Sequence, residues 1–132
     1  MKILLDTNAY TAFRRGEQPT VDAVKEASSL IMSTIVLGEL HFGFRNGRRY
    51  SQNLRFLENF LENPFVTVAD LTSATAELYG LLATSLRRKG RPIPTNDIWI
   101  AAHTFETQAV LATFDGHFTE IENLRTLILL RE

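Results

Sequence analysis

Four acidic residues stand where the chemistry of this chain is expected to lie. Asp6 closes the apolar run Ile3-Leu4-Leu5 and is followed by Thr7 and Asn8. Asp115 comes two residues after the run Val110-Leu111-Ala112-Thr113. Glu39 sits among Val36, Leu37, Gly38 and Leu40, and Asp97 opens an apolar segment after Pro94-Thr95-Asn96. Each has an ordinary explanation. An aspartate near a helix start is a favourable dipole partner, which would account for Asp97. Asp115-Gly116 alone is a turn signal. Glu39 alone is a solvated helix residue, although its apolar neighbours draw it inward. Asp6 resists such a reading, because a buried acid needs a partner. The coincidence of all four outweighs the separate explanations.

Four carboxylates at close range repel, and one must stay protonated unless a counter-ion joins them. A divalent cation resolves this. An all-oxygen ligand set suits Mg²⁺ or Mn²⁺. Such a site is equipped for metal-assisted phosphodiester hydrolysis, with a water acidified by the cation as nucleophile. No histidine forms a convincing base pair with a carboxylate. His41 is two residues from Glu39, and on a helix i and i+2 point apart. His103 lies on an apolar helix and reads as structural. His117 is close enough to Asp115 in sequence to touch a substrate.

The elements that must position these acids alternate. Short apolar runs at Ile3–Leu5, Leu30–Met32, Phe65–Val68, Val110–Thr113 and Leu127–Leu130 read as strands. Helices are expected from Thr7, over Val21–Ala27 with Thr20 as N-cap, Ile35–Phe44 and Ser51–Glu62. Two more run from a Thr72 cap to Arg87-Arg88-Lys89, stopped by Gly90, and from Thr95 or Asn96 to about Thr107. Strands alternating with helices imply a parallel sheet covered on both faces, because parallel strands need crossovers. The expected class is α/β, a three-layer α/β/α domain with a five-stranded parallel sheet. Ligands of such sheets bind beyond the carboxyl ends of the strands.

Composition narrows the field further. The 132 residues amount to one domain, expected to span 1–132. With 45% apolar residues the chain can fill a core. It has no cysteine, which excludes disulfides, thiolate metal sites and cysteine nucleophiles. Fourteen basic residues nearly balance fifteen acidic ones, so the arrangement of charge must decide the partner. No run approaches the roughly 20 apolar residues of a membrane helix, or a secretory signal's ~7–15 with its cleavage site. A soluble cytoplasmic protein with no membrane partner is the default expectation.

In order and spacing, Ile3-Leu4-Leu5-Asp6-Thr7-Asn8, Gly38-Glu39-Leu40, Asn96-Asp97-Ile98-Trp99-Ile100-Ala101-Ala102 and Leu111-Ala112-Thr113-Phe114-Asp115-Gly116-His117-Phe118 resemble the motifs of PIN domains, and among these the VapC-type toxin ribonucleases. The resemblance spans essentially the whole chain. It implies a five-stranded parallel sheet and a Mg²⁺-dependent endoribonuclease, with Mn²⁺ as the other candidate ion. It implies homodimerisation, inhibition by a cognate antitoxin, and contact with DNA only through that antitoxin. By the same resemblance Asp6 and Asp97 are the principal metal ligands. Glu39 and Asp115 ligate the ion or hold its waters. Thr7 and Thr113 orient the carboxylates, and Asn96 is a polar neighbour of the site.

Basic residues cluster as Arg45, Arg48 and Arg49, and again as Arg87, Arg88, Lys89 and Arg91. Both clusters are expected to rim the acidic pocket and attract RNA, since an acidic pit needs flanking cations to hold a polyanion. The second is also a good dipole match for a helix end. Phe13, Phe42, Phe44 and Trp99 could stack a base, though core packing suits most of them. Two other readings remain. One is a PIN-like module that binds RNA or a partner without cutting. The other is a haloacid-dehalogenase-like phosphatase, which would need an acid where Asn8 stands.

Overall fold

The computed structural model describes residues 1–131. In chain order the elements are β1 (Lys2–Leu5), α1 (Thr7–Arg14), α2 (Gln18–Glu26), β2 (Ser29–Ser33), α3 (Thr34–Arg45), α4 (Tyr50–Glu62), β3 (Val66–Ala69), α5 (Ser73–Arg88), α6 (Thr95–Thr107), β4 (Val110–Thr113), a 3₁₀ turn (Gly116–Glu120) and β5 (Thr126–Ile128). All strand pairs are parallel, in the order β3-β2-β1-β4-β5. The chain winds outward from β1 through β2 to β3, then returns to lay β4 on the other side of β1. The direction therefore reverses between β1 and β4, and the crevice of a doubly wound sheet opens at that point. Asp6 and Asp115 follow those two strands.

Strand burial explains why the runs are short and uniformly apolar. Ile3, Leu4 and Leu5 are fully buried, as are Leu111 and Ala112. Consecutive buried residues on a strand mean that both faces are covered. Tyr10, Leu57, Ile100, Phe118 and Val36 bring the helices and the 3₁₀ turn into the same core.

Several boundaries differ from expectation. Helix α2 begins at Gln18, with Glu17 as N-cap and Pro19 in the first turn, where its missing N–H costs nothing. Thr20 is consequently a buried helical residue rather than a cap, and its hydroxyl has no partner. Neither Thr95 nor Asn96 caps α6. Pro94 occupies that position without a side-chain bond, which leaves the Asn96 amide for other use. β5 ends at Ile128, short of the expected Leu130, which is exposed, although the Leu129 N–H still donates to the Thr113 carbonyl at 2.7 Å. Thr72 caps α5 as expected, in a reciprocal pair with Thr75. Gly90 follows the helix in the left-handed region at φ +67°, a conformation that ends helices and favours glycine.

Candidate active site

Asp6 is the N-cap of α1. Its Oδ1 accepts the Ala9 N–H at 2.9 Å, and its Oδ2 accepts the Thr113 hydroxyl at 2.5 Å. The same Thr113 oxygen accepts the Asp115 N–H at 3.0 Å. Thr113 is fully buried, so its hydroxyl is held between the two strand ends. Asp115 caps the 3₁₀ turn by accepting the His117 N–H at 3.0 Å. Its Oδ1 also lies 2.7 Å from His117 Nδ1, while His117 Nε2 lies 2.8 Å from Asp97 Oδ2. A continuous chain of contacts thus runs Asp6–Thr113–Asp115–His117–Asp97. Glu39 stands across the crevice on α3, where Oε1 accepts the Thr7 hydroxyl at 2.5 Å and Oε2 accepts the Asn96 amide at 3.4 Å.

The electrostatics place the acids in one another's field. Burial pushes the Asp6 carboxyl above its ordinary range; Thr113 and Ala9 oppose this, and Asp97 and Asp115 add to it. Burial does the same to Asp97; His117 opposes it, and Glu39 and Asp115 add to it. Among the described residues no lysine or arginine forms an ion pair with any of the four acids. Asp97, Asp115 and His117 each offer a ligand atom, all within 4.8 Å of one another. Carboxylates gathered around one crevice without a lysine or arginine partner among the described residues fit a hard divalent cation.

The site has a measurable cost without a cation. Folded Asp97 holds its proton more tightly than unfolded Asp97, whose value is near 3.8. Between those two values the native state binds more protons, so stability falls as pH rises through the folded value. Asp97→Asn removes the charge and keeps the shape. In EDTA it should melt a few degrees above wild type, as expected for relief of about 1 kcal/mol. Mg²⁺ should raise the wild-type midpoint more than the mutant's, by linkage. Scanning calorimetry at one ionic strength checks this, since salt also screens the repulsion. Equal melting in EDTA and an equal response to Mg²⁺ would remove Asp97 from a shared site.

The structure thus brings Asp6, Thr7, Glu39, Asn96, Asp97, Thr113 and Asp115 together. It corrects one expectation about the histidines: His117 does pair with carboxylates, bridging Asp97 and Asp115. The signal missed was the turn itself, in which a 3₁₀ geometry folds residue 117 back onto 115. His103 is structural, with Nδ1 at 2.7 Å from Ser33 Oγ and Nε2 at 3.2 Å from the Asp70 carbonyl. Trp99 stacks on Tyr79 and Phe13 packs on Phe60, whereas Phe42 is largely exposed. Of the basic residues, Arg49 reaches a groove beside Glu39, together with Arg14 and Arg15, whose place at the end of α1 gives no sequence signal of a site. Arg48 lines a shallower neighbouring cleft, and Arg45 lies over the Tyr50 ring. From the run after α5, Lys89 and Arg91 reach the 3₁₀ segment that carries His117. There the Lys89 ammonium donates to the Glu120 carbonyl at 2.5 Å, and Arg91 approaches the Glu120 carboxylate at 4.0 Å. No helix among the described residues is long and apolar enough to cross a membrane.

A parallel sheet that reverses at β1/β4, with acids across the crevice, defines a class, and the model of the PIN domain family matches residues 3–124. Ribonuclease VapC1 of Haemophilus influenzae (strain R2866) is 33% identical over 131 residues, which cover 95% of this chain and 96% of that protein. The tRNA(fMet)-specific endonuclease VapC of Shigella flexneri is 29% identical over 132 residues, 96% of each chain. The crystal structure of VapBC2 from Rickettsia felis, bound to a DNA fragment from their promoter, is similar with a TM-score of 0.85 at 29% identity. That match covers 98% of this chain and 100% of the other. The chain belongs to the PIN domain family, among the VapC ribonucleases. This membership sets aside the phosphatase alternative.

Proposed function

We propose that this protein is an endoribonuclease toxin of a toxin–antitoxin pair, forming one PIN-like domain over residues 1–132 and acting in the cytoplasm. The observation that carries the reading is the gathering of Asp6, Glu39, Asp97 and Asp115 at the sheet's switch point, with no lysine or arginine among the described residues paired to them. Asp6, Asp97 and Asp115 would hold Mg²⁺, with Mn²⁺ as the alternative. When bound, such a cation polarises a phosphoryl oxygen and acidifies water. The chain's own residues do the positioning. Thr113 fixes the Asp6 rotamer and the start of the Asp115 loop. Thr7 and Asn96 hold the Glu39 carboxylate toward the crevice. His117 holds Asp97 and Asp115 at a set separation. A carboxylate set already oriented by its hydrogen bonds needs little reorganisation when the substrate arrives.

The names of the relatives support RNA as substrate, and the VapBC complex supports an antitoxin as partner. The protein would meet DNA through that antitoxin, and would itself be a homodimer. The direct test is RNA cleavage with and without chelator. EDTA should abolish cleavage, and added Mg²⁺ or Mn²⁺ should restore it. Undiminished cleavage in EDTA would refute the reading. A protein that binds RNA and never cuts it would be the non-catalytic module instead.

A further inference from the structure

Beside Glu39 a groove of about 480 Å³ runs between α1, α3 and the start of α4. One stripe of α1 forms its wall: Thr7, Tyr10, Thr11 and Arg14, at positions i, i+3, i+4 and i+7. Its inner end is the Thr7–Glu39 pair of the candidate site, and its outer end is made of Arg14, Arg15 and Arg49. Thr7 and Arg14 are separated by roughly 10 Å along the helix axis. One face of the cleft therefore passes from carboxylate to guanidinium over a short distance.

Three features mark this groove as a ligand site. Arg14, Arg15 and Arg49 are exposed, and among the described residues none of them makes an ion pair, so their charge is unspent. Arg14 is held in place, with its guanidinium 4.1 Å from the centroid of the Phe56 ring. Tyr10 lies in the groove wall at 2% exposure, and its hydroxyl has no hydrogen-bond partner. Burial pushes that phenol up to about 12, so it keeps its proton as a donor. An unpaired buried hydroxyl is costly and calls for a partner.

Resting on the nuclease reading above, we infer that Arg14, Arg15 and Arg49 form a phosphate cradle that holds the RNA backbone next to the bond being cut. Guanidinium forks match phosphate oxygens in charge and geometry. The occupant must reach the carboxylates at the groove's inner end, which RNA threaded along this wall does. These arginines bind and position the strand; they do not touch the reacting atoms.

The test uses full-length Asp97→Asn protein and a short fluorescein-labelled RNA of mixed sequence, read by anisotropy across a salt series. Each phosphate contact to single-stranded RNA contributes about 0.7 to the slope of log Kd against log salt. Arg14→Ala, Arg15→Ala and Arg49→Ala should each lower that slope by about this amount and weaken binding several-fold. The triple variant should lose roughly two units of slope. Arg14→Lys should keep the slope, because the charge remains. Arg125→Ala, just before β5 at the opposite end of the sheet, should change nothing. In the otherwise wild-type enzyme the triple variant should raise KM and leave kcat near its original value. An unchanged slope in the triple variant overturns the inference while the nuclease reading stands. So does a triple variant that binds RNA normally but fails to hold the co-expressed antitoxin, which would give the groove to the protein partner. A wild-type protein that neither binds nor cleaves RNA would refute the nuclease reading itself.

Discussion

Asp6→Ala and Asp97→Ala proteins are expected to cleave RNA roughly 10³-fold or more slowly than wild type, with circular dichroism unchanged. Asp6 stands at the centre of the sheet and Asp97 in the first turn of α6, so the two reach the crevice from independent elements. Neither fills the apolar core: Asp6 caps α1 through one N–H and accepts the Thr113 hydroxyl, and the Asp97 side chain is 21% exposed. Loss of a helix cap costs about 1 kcal/mol, well within what the fold tolerates. Thr113→Val grades the same effect. It keeps the shape but takes the donor from Asp6 Oδ2 and the acceptor from the Asp115 N–H. Loss of such a supporting contact typically costs about 10–100-fold. Single-turnover cleavage of a labelled RNA measures all three. Full activity in Asp97→Ala would show that the carboxylates gather for another purpose.

Phe118→Ala should be the most damaging single core change near the site. Phe118 is 1% exposed and lies among the largest fully buried side chains. Truncating a buried phenylalanine costs about 3–5 kcal/mol, part lost transfer energy and part cavity. For a chain of this length the midpoint should fall on the order of 10–20 °C. The substitution also reaches the site, because the Phe118 ring packs against His117 with centroids 4.9 Å apart. At a temperature where the variant is still folded, cleavage should drop as well, since His117 loses the surface that sets its angle toward Asp97 and Asp115. Phe118→Leu should recover most of the stability. Thermal melts followed by circular dichroism check the first claim. A fall of less than about 1.5 kcal/mol would mean that the cavity collapses around the missing ring.

Most of the frame can be read from periodicity and punctuation. Uniformly apolar strands such as Ile3-Leu4-Leu5 announce a sheet covered on both faces, and acids directly after them announce its working edge. What could not be read depends on backbone turns and on distances along the chain. His117 meets Asp97 across twenty residues and Asp115 across a tight turn, and neither contact has a periodic signature. Arg14 and Arg15 look like an ordinary basic helix end; only the approach of α3 and α4 makes them one side of a groove. The ordinary explanations of Asp97 and Asp115 also proved compatible with the site. Asp97 does lie in a helix's first turn and Asp115 does cap the 3₁₀ turn, so the same side chains serve the local fold and the crevice.

The hydrogen bond between Asp6 and Thr113 joins residues 107 positions apart, at the junction of the first and fourth strands. A contact of this span cannot form early in synthesis. With translation at about 5–20 residues per second, on the order of ten seconds separate the emergence of Asp6 from that of Asp115. Until then Asp6 has no Thr113 and Asp97 has no His117, so the crevice lacks one wall. A nascent chain, or one truncated before β4, therefore carries three of the four acids but neither Asp115 nor the Thr113 hydroxyl that links it to Asp6. On the proposed reading, placing the completing strand late in the chain would delay cleavage until synthesis is nearly finished.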